Sequence, residues 1–168
     1  LQECYDPNFA HYEQSRRVVE RLEKDGLGLN LTWEVRDAIA NHTGSCMAQT
    51  PEGLLIKYAD RIAYINHDID DACRAGILRR EDIPADICGV LGDTHSRRIN
   101  TMITSVVKAS QNTANITMTE EVQEATDRLR TFLFERVYHN PVAKAEEAKS
   151  KTLVFTLFEY YVKNPDRM

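Results

Sequence analysis

The chain has 168 residues, 42% hydrophobic and 28% charged, with a formal charge of -5. That mix excludes a chain disordered throughout, and 7 Gly and 5 Pro exclude collagen-like and linker-like readings. No apolar run approaches the roughly 18–20 residues of a membrane span, and an acidic chain is a poor general binder of nucleic-acid backbone.

Residues 1–8 begin at Leu1 rather than Met, carry no helical pattern and read as the tail of a preceding segment. Tyr12, Ser15, Val18, Val19 and Leu22 then recur at helical spacing, and Gly26 and Gly28 predict the stop. Thr32 is placed to cap a second helix with Val35, Ala38, Ile39 and His42 as its stripe and Gly44 at its end. Thr50 before Pro51 predicts a third start, for a helix running to about Gly76. Pro84, Gly89 and Gly92 mark a shorter, less regular stretch. Thr94 is expected to cap the next helix, with Ile99, Met102, Ile103, Val106 and Val107 buried. Thr117 and Glu120 fit a capping box before a helix that heads towards Tyr138 and buries Val122, Ala125, Leu129, Phe132 and Leu133. Pro141 opens a last helix, apolar over 153–161. Alternation of period two and Asn-Gly turns are missing, so one all-α domain over 1–168 is expected.

The cysteines, Cys4, Cys46, Cys73 and Cys88, form no C-x-x-C pair, which argues for free thiols over a zinc knuckle or redox dithiol. N-x-T sequons at Asn30, Asn41 and Asn115 matter only in a secreted protein. No signal peptide is visible, so a cytoplasmic location is expected. The sequence holds no Walker loop and no G-x-S-x-G elbow, which excludes a P-loop fold and argues against an α/β-hydrolase.

The most informative stretch is 57–75, KYADRIAYINHDIDDACRA. At 100° per residue, Leu55, Tyr58, Ile62, Ile65, Ile69 and Cys73 fall on one side. Asp60, Tyr64, His67 and Asp71 fall opposite, with Asp68 at the margin. Spacing alone reads this as the solvated polar face of an amphipathic helix, with His67 pairing with Asp71 at i+4.

The string DRIAYINHDIDDA resembles the signature of the deoxynucleoside-triphosphate triphosphohydrolases of the HD superfamily of metal-dependent phosphohydrolases. HYEQSRRVVERLE resembles that family's H-N-x-Q-S-x-R-V helix, and AIANHTG its A-I-x-x-H-T-G stretch. RINTMITSVV and LRTFLFERVY follow in the family's order, so the likeness covers 9–161. The resemblance implies an HD-domain-like helical bundle, incomplete at its N-terminal side. It implies an intact enzyme that uses a divalent metal, Mg²⁺ or Mn²⁺, to cleave a dNTP, dGTP foremost, to deoxynucleoside and tripolyphosphate.

By the same resemblance Asp60 is a metal ligand. The family's other ligands, a His and an adjacent His-Asp pair, would lie upstream of Leu1, so the chain alone is expected to be inactive and metal-free. His11 matches the proton-transfer residue, with Glu13 or Gln14 orienting it or its water, and Gln14 is the candidate for substrate contact. Tyr64 and Asp68 match positions lining the sugar and phosphate pocket. Arg130 and Tyr138, on one helix face with Phe134, match residues that hold the phosphate chain. A rival metal set, His42, His67-Asp68 and Asp93, has the right chain order. However, 67 and 68 project 100° apart, and in the family this second pair follows the metal Asp. From another class comes a catalytically inactive helical oligomerisation or regulatory module. The expected partners are a deoxynucleoside triphosphate and a second copy of the chain, through an exposed apolar surface. Nucleic acid finds local support only at Arg79-Arg80 and Arg97-Arg98.

Overall fold

A computed structural model describes residues 6–167. Among them the secondary structure is helical, without strands: α1 (His11–Arg17), α2 (Trp33–Asn41), α3 (Pro51–Arg74), α4 (Ala85–Leu91), α5 (His95–Ser110), α6 (Glu120–Leu133) and α7 (Pro141–Lys163). Two helices end in a widened π turn, α1 over Val18–Leu22 and α6 over Phe134–Tyr138. The all-α expectation is met.

Local chemistry sets most boundaries. Thr50 and Thr94 extend their backbones and accept hydrogen bonds from the amides of Gly53 (3.1 Å) and Arg97 (3.3 Å), as their N-cap positions predict. Gly28, at φ +71°, turns the chain after the first π turn. A Cβ there would meet the Glu20 carbonyl oxygen at 2.1 Å, so the return stroke needs glycine. Gly53 serves close packing instead, since a Cβ would lie 2.5 Å from that of Ala48. The capping box expected at Thr117 is not formed. Thr119 is the N-cap, and its hydroxyl is engaged by Ser105 of α5 at 2.8 Å, while Thr117 is held by Ser110.

The core lies between α3, α4, α5 and α6. Ile65, Ile69, Leu91, Met102 and Leu129 are fully enclosed, each such side chain contributing about 1.5–3 kcal/mol by leaving water. On α6, Val122, Ala125, Leu129 and Leu133 are buried as the periodicity predicts. Elsewhere the buried stripe is narrower than expected. Ile103 and Val107 of α5, Val35 of α2 and Leu55 of α3 face solvent. Polar groups take inward positions instead. Asp37 is buried, accepting from the Gln49 amide (2.7 Å) and Asn41 Nδ2 (2.8 Å), which pins the loop between α2 and α3. Arg98 of α5 is 2% exposed. Its Nε donates to Asn66 Oδ1 at 3.0 Å and its Nη1 to the Asp93 carbonyl at 3.4 Å, while Asn66 Nδ2 donates to the Ile62 carbonyl. Burial pushes the guanidinium down from its usual range, and Asp70 opposes that shift.

Cys46, Cys73 and Cys88 are free thiols, as expected, and Cys4 lies outside the described residues. Burial raises Cys73 and Cys88 above the usual thiol range. Among the described residues no helix is long and apolar enough to cross a membrane.

Candidate functional site

Helix α3 carries Asp60, Tyr64 and Asp68 at successive i+4 positions, so they ascend one side of it. Their surroundings differ. Asp60 is exposed, and among the described residues its side chain makes no hydrogen bond or ion pair. Tyr64 is half-buried against the core. Asp68 is half-buried and accepts a hydrogen bond from the Tyr138 hydroxyl, 70 residues away in sequence.

Tyr138 reaches Asp68 from the π turn that closes α6. Leu129, Leu133 and Val137 are buried there, anchoring the helix end in the core that α3, α4, α5 and α6 share. The widened turn carries Phe134 edge-on against Tyr138, ring centroids 5.0 Å apart, and the Arg130 guanidinium lies 5.5 Å from the Phe134 ring centre. Guanidinium, phenyl and phenol thus form a stack ending on the Asp68 carboxylate. Burial pushes the Tyr138 phenol well above the ordinary tyrosine range. The hydrogen bond to Asp68, and the charges of Asp68 and Tyr64, push the same way, with Arg130 opposing. At neutral pH Tyr138 is therefore a donor. A recess of about 230 Å³ opens beside this contact, lined by Asp68, Asp71, Ala72, Ala75, Ile77, Val137 and Tyr138.

His11 and Gln14 stand apart from that cluster. His11 opens α1, is exposed, and meets the His42 ring edge-on at 5.4 Å. His42 Nδ1 lies 2.8 Å from the Ile39 carbonyl. Gln14 lines a separate cleft along α1. Among the described residues, no hydrogen bond, ion pair or ring contact joins His11 or Gln14 to the Asp68–Tyr138 group.

The rival metal set does not assemble. Among the described residues no group of three or more His, Cys, Asp or Glu could hold a metal ion. His67 is exposed and meets the His95 ring at 5.8 Å. Asp71 pairs with Arg74 at 2.9 Å, so the expected pairing of His67 with Asp71 is absent. Asp70 Oδ2 lies 2.7 Å from His95 Nδ1, a close approach without hydrogen-bond alignment. Asp60 alone is likewise no metal centre, since a hard divalent cation needs several oxygen or nitrogen ligands.

Spacing missed two things. Asp127, available to Arg130 one turn away, faces Arg61 of α3 at 3.5 Å and accepts from Gln123. This ion pair ties the two site-bearing helices together, and no local signal announces it. The second is the π turn. Helical spacing puts Arg130, Phe134 and Tyr138 on one face, and the ring contacts bear that out, but the widening of the turn itself has no local signal.

Comparison with known proteins bears on this arrangement. Residues 116–168, which include α6 and α7, match the phosphohydrolase-associated domain. Over 95% of its length the chain is 51% identical to a deoxyguanosinetriphosphate triphosphohydrolase-like protein of Caldanaerobacter subterraneus subsp. tengcongensis, covering 47% of that protein. Over its whole length it is 42% identical to a protein of the same description from Clostridium tetani, covering 51% of it. One from Geobacter sulfurreducens is 27% identical over 94% of the chain. The chain spans about half the length of the curated relatives it matches. The family resemblance read from the motifs is upheld.

Proposed function

We propose, from the kinship of this chain with deoxyguanosinetriphosphate triphosphohydrolase-like proteins over nearly its whole length, that it forms part of a phosphohydrolase acting on a deoxynucleoside triphosphate. The reaction would release deoxynucleoside and tripolyphosphate. The observation that carries the reading is the convergence of Tyr64, Asp68, Arg130 and Tyr138 where α3 meets the end of α6. An arginine that stays charged suits phosphoryl oxygens, and a protonated phenol beside it adds a donor. The half-buried Tyr64 ring offers a flat wall against which a 2′-hydroxyl would be crowded. His11 would exchange a proton with the reacting group, and Gln14 would contact substrate. Asp60 would give one ligand to a divalent cation. The described residues do not complete such a centre, so no step is assigned to a metal.

A second reading has its own observation. Leu153, Val154, Phe155, Leu157, Tyr160, Tyr161 and Val162 of α7 are exposed, which favours an inactive module that associates through this helix.

Product analysis separates the two. The chain by itself is expected to release no tripolyphosphate from dGTP with Mn²⁺, and a longer polypeptide containing it is expected to do so. In that polypeptide Tyr64→Ala should narrow the kcat/KM preference for dGTP over GTP by ~1–3 kcal/mol, the scale of small steric differences in a site. Release of pyrophosphate or single phosphate instead, or an unchanged preference, would overturn the assignment.

A further inference from the structure

We propose that the cleft along α1 is a binding site for a polyphosphate chain, gripped by Arg17 and Arg21. The cleft encloses about 350 Å³, within the range of small-molecule sites. Its walls carry three arginines and three carboxylates, and the ion pairs divide them unequally. Arg16 is committed, facing Glu13 at 3.1 Å and Glu20 at 3.9 Å. Glu20 also meets Arg36 of α2 at 3.5 Å. Asp6 accepts from the Asn8 amide at 2.9 Å. Arg17 and Arg21 have no ion-pair partner among the described residues, and both are exposed.

Two uncommitted guanidiniums line this one cleft, Arg17 as the last residue of α1 and Arg21 within its π turn. Each presents a planar fork of donors that fits phosphate oxygens in pairs. Two separate forks suit two or three linked phosphoryl groups better than a single phosphate. Gln14, three residues before Arg17, lines the same cleft and adds a neutral amide donor. Arg16 and Arg36 offset Glu13 and Glu20, which leaves Asp6 as the one carboxylate of the lining against the two uncommitted guanidiniums. The site shares Gln14 with the proposed substrate contacts but requires no metal and no turnover, so it stands or falls apart from that function.

The test is calorimetric titration of the chain with tripolyphosphate and, separately, with dGTP, without metal and at fixed ionic strength. Folding of each variant is checked by circular dichroism. Wild type is expected to bind both. Arg17→Ala with Arg21→Ala should weaken binding about tenfold or more, the loss of charge-assisted hydrogen bonds. The paired Arg→Lys variant, which keeps the charge but not the fork, should fall between. Arg80→Ala with Lys108→Ala, which removes two exposed charges outside the cleft, should bind as wild type does. Equal affinity for the two ligands identifies a free polyphosphate site, and tighter dGTP a nucleotide site. Failure of wild type to bind either, an unchanged Arg17→Ala/Arg21→Ala variant, or an equal loss in the Arg80→Ala/Lys108→Ala control would overturn the proposal. So would a single-stranded oligonucleotide that binds more tightly than both.

Discussion

Asp60 and Asp68 lie two turns apart on one side of α3 and have different surroundings. Asp60 projects into solvent without a side-chain partner, whereas Asp68 is half-buried and takes the Tyr138 hydroxyl. Nothing in α3 makes this difference. It comes from the π turn that closes α6, which buried Leu129, Leu133 and Val137 anchor in the shared core and which sets Tyr138 beside Asp68. A helix sets which side chains share a side; its neighbours decide which of them are engaged and which stay exposed.

The largest test of that contrast removes the packing. Leu129 is fully enclosed, so Leu129→Ala should cost ~2–5 kcal/mol in urea unfolding. It should also loosen Tyr138 from Asp68, seen as a downward shift in the alkaline titration of the tyrosines. A cost below about 1 kcal/mol would mean that α6 does not hold the Asp68 end.

A smaller effect is expected from removing only the hydroxyl. Tyr138→Phe leaves the Asp68 carboxylate without its donor, and half-burial limits the loss to about 1 kcal/mol. The pH dependence sharpens this. The folded phenol is pushed above its unfolded value of ~10, so its contribution is fully present below that pH and is lost as pH rises towards the higher folded value. The stability gap between wild type and Tyr138→Phe should therefore narrow above about pH 10 in unfolding curves. A gap that widens there would reverse the assigned shift.

The smallest effect belongs to Asp60. An exposed carboxylate without a partner predicts that Asp60→Asn changes stability by no more than ~0.5 kcal/mol. A large change would reveal a structural role and erase the contrast with Asp68.

Where the sequence was legible, the physics was local. Thr50 and Thr94 cap helices because a short hydroxyl reaches an amide three residues on, a contact that no distant residue need supply. Thr117 misled because Ser110 and Ser105, from another helix, claimed it and Thr119. Periodicity found the α6 core but overestimated that of α5. The period gives the direction of a buried stripe, while the neighbouring helices set its width: Arg98, Met102, Ser105 and Val106 take the inward positions of α5 and leave Ile103 and Val107 exposed.

The sequence by itself determined an all-helical chain, most helix starts, the free thiols at Cys46, Cys73 and Cys88, and kinship with the triphosphohydrolase-like proteins. All of these reside in composition, caps and ordered motifs. Only the tertiary structure decided that Asp68 is bound by Tyr138 while Asp60 stands free, and that Asp127 faces Arg61. It also separated His11 and Gln14 from the Asp68–Tyr138 group. Those pairings join residues tens of positions apart, so they depend on how whole helices pack, which spacing within any one helix does not encode.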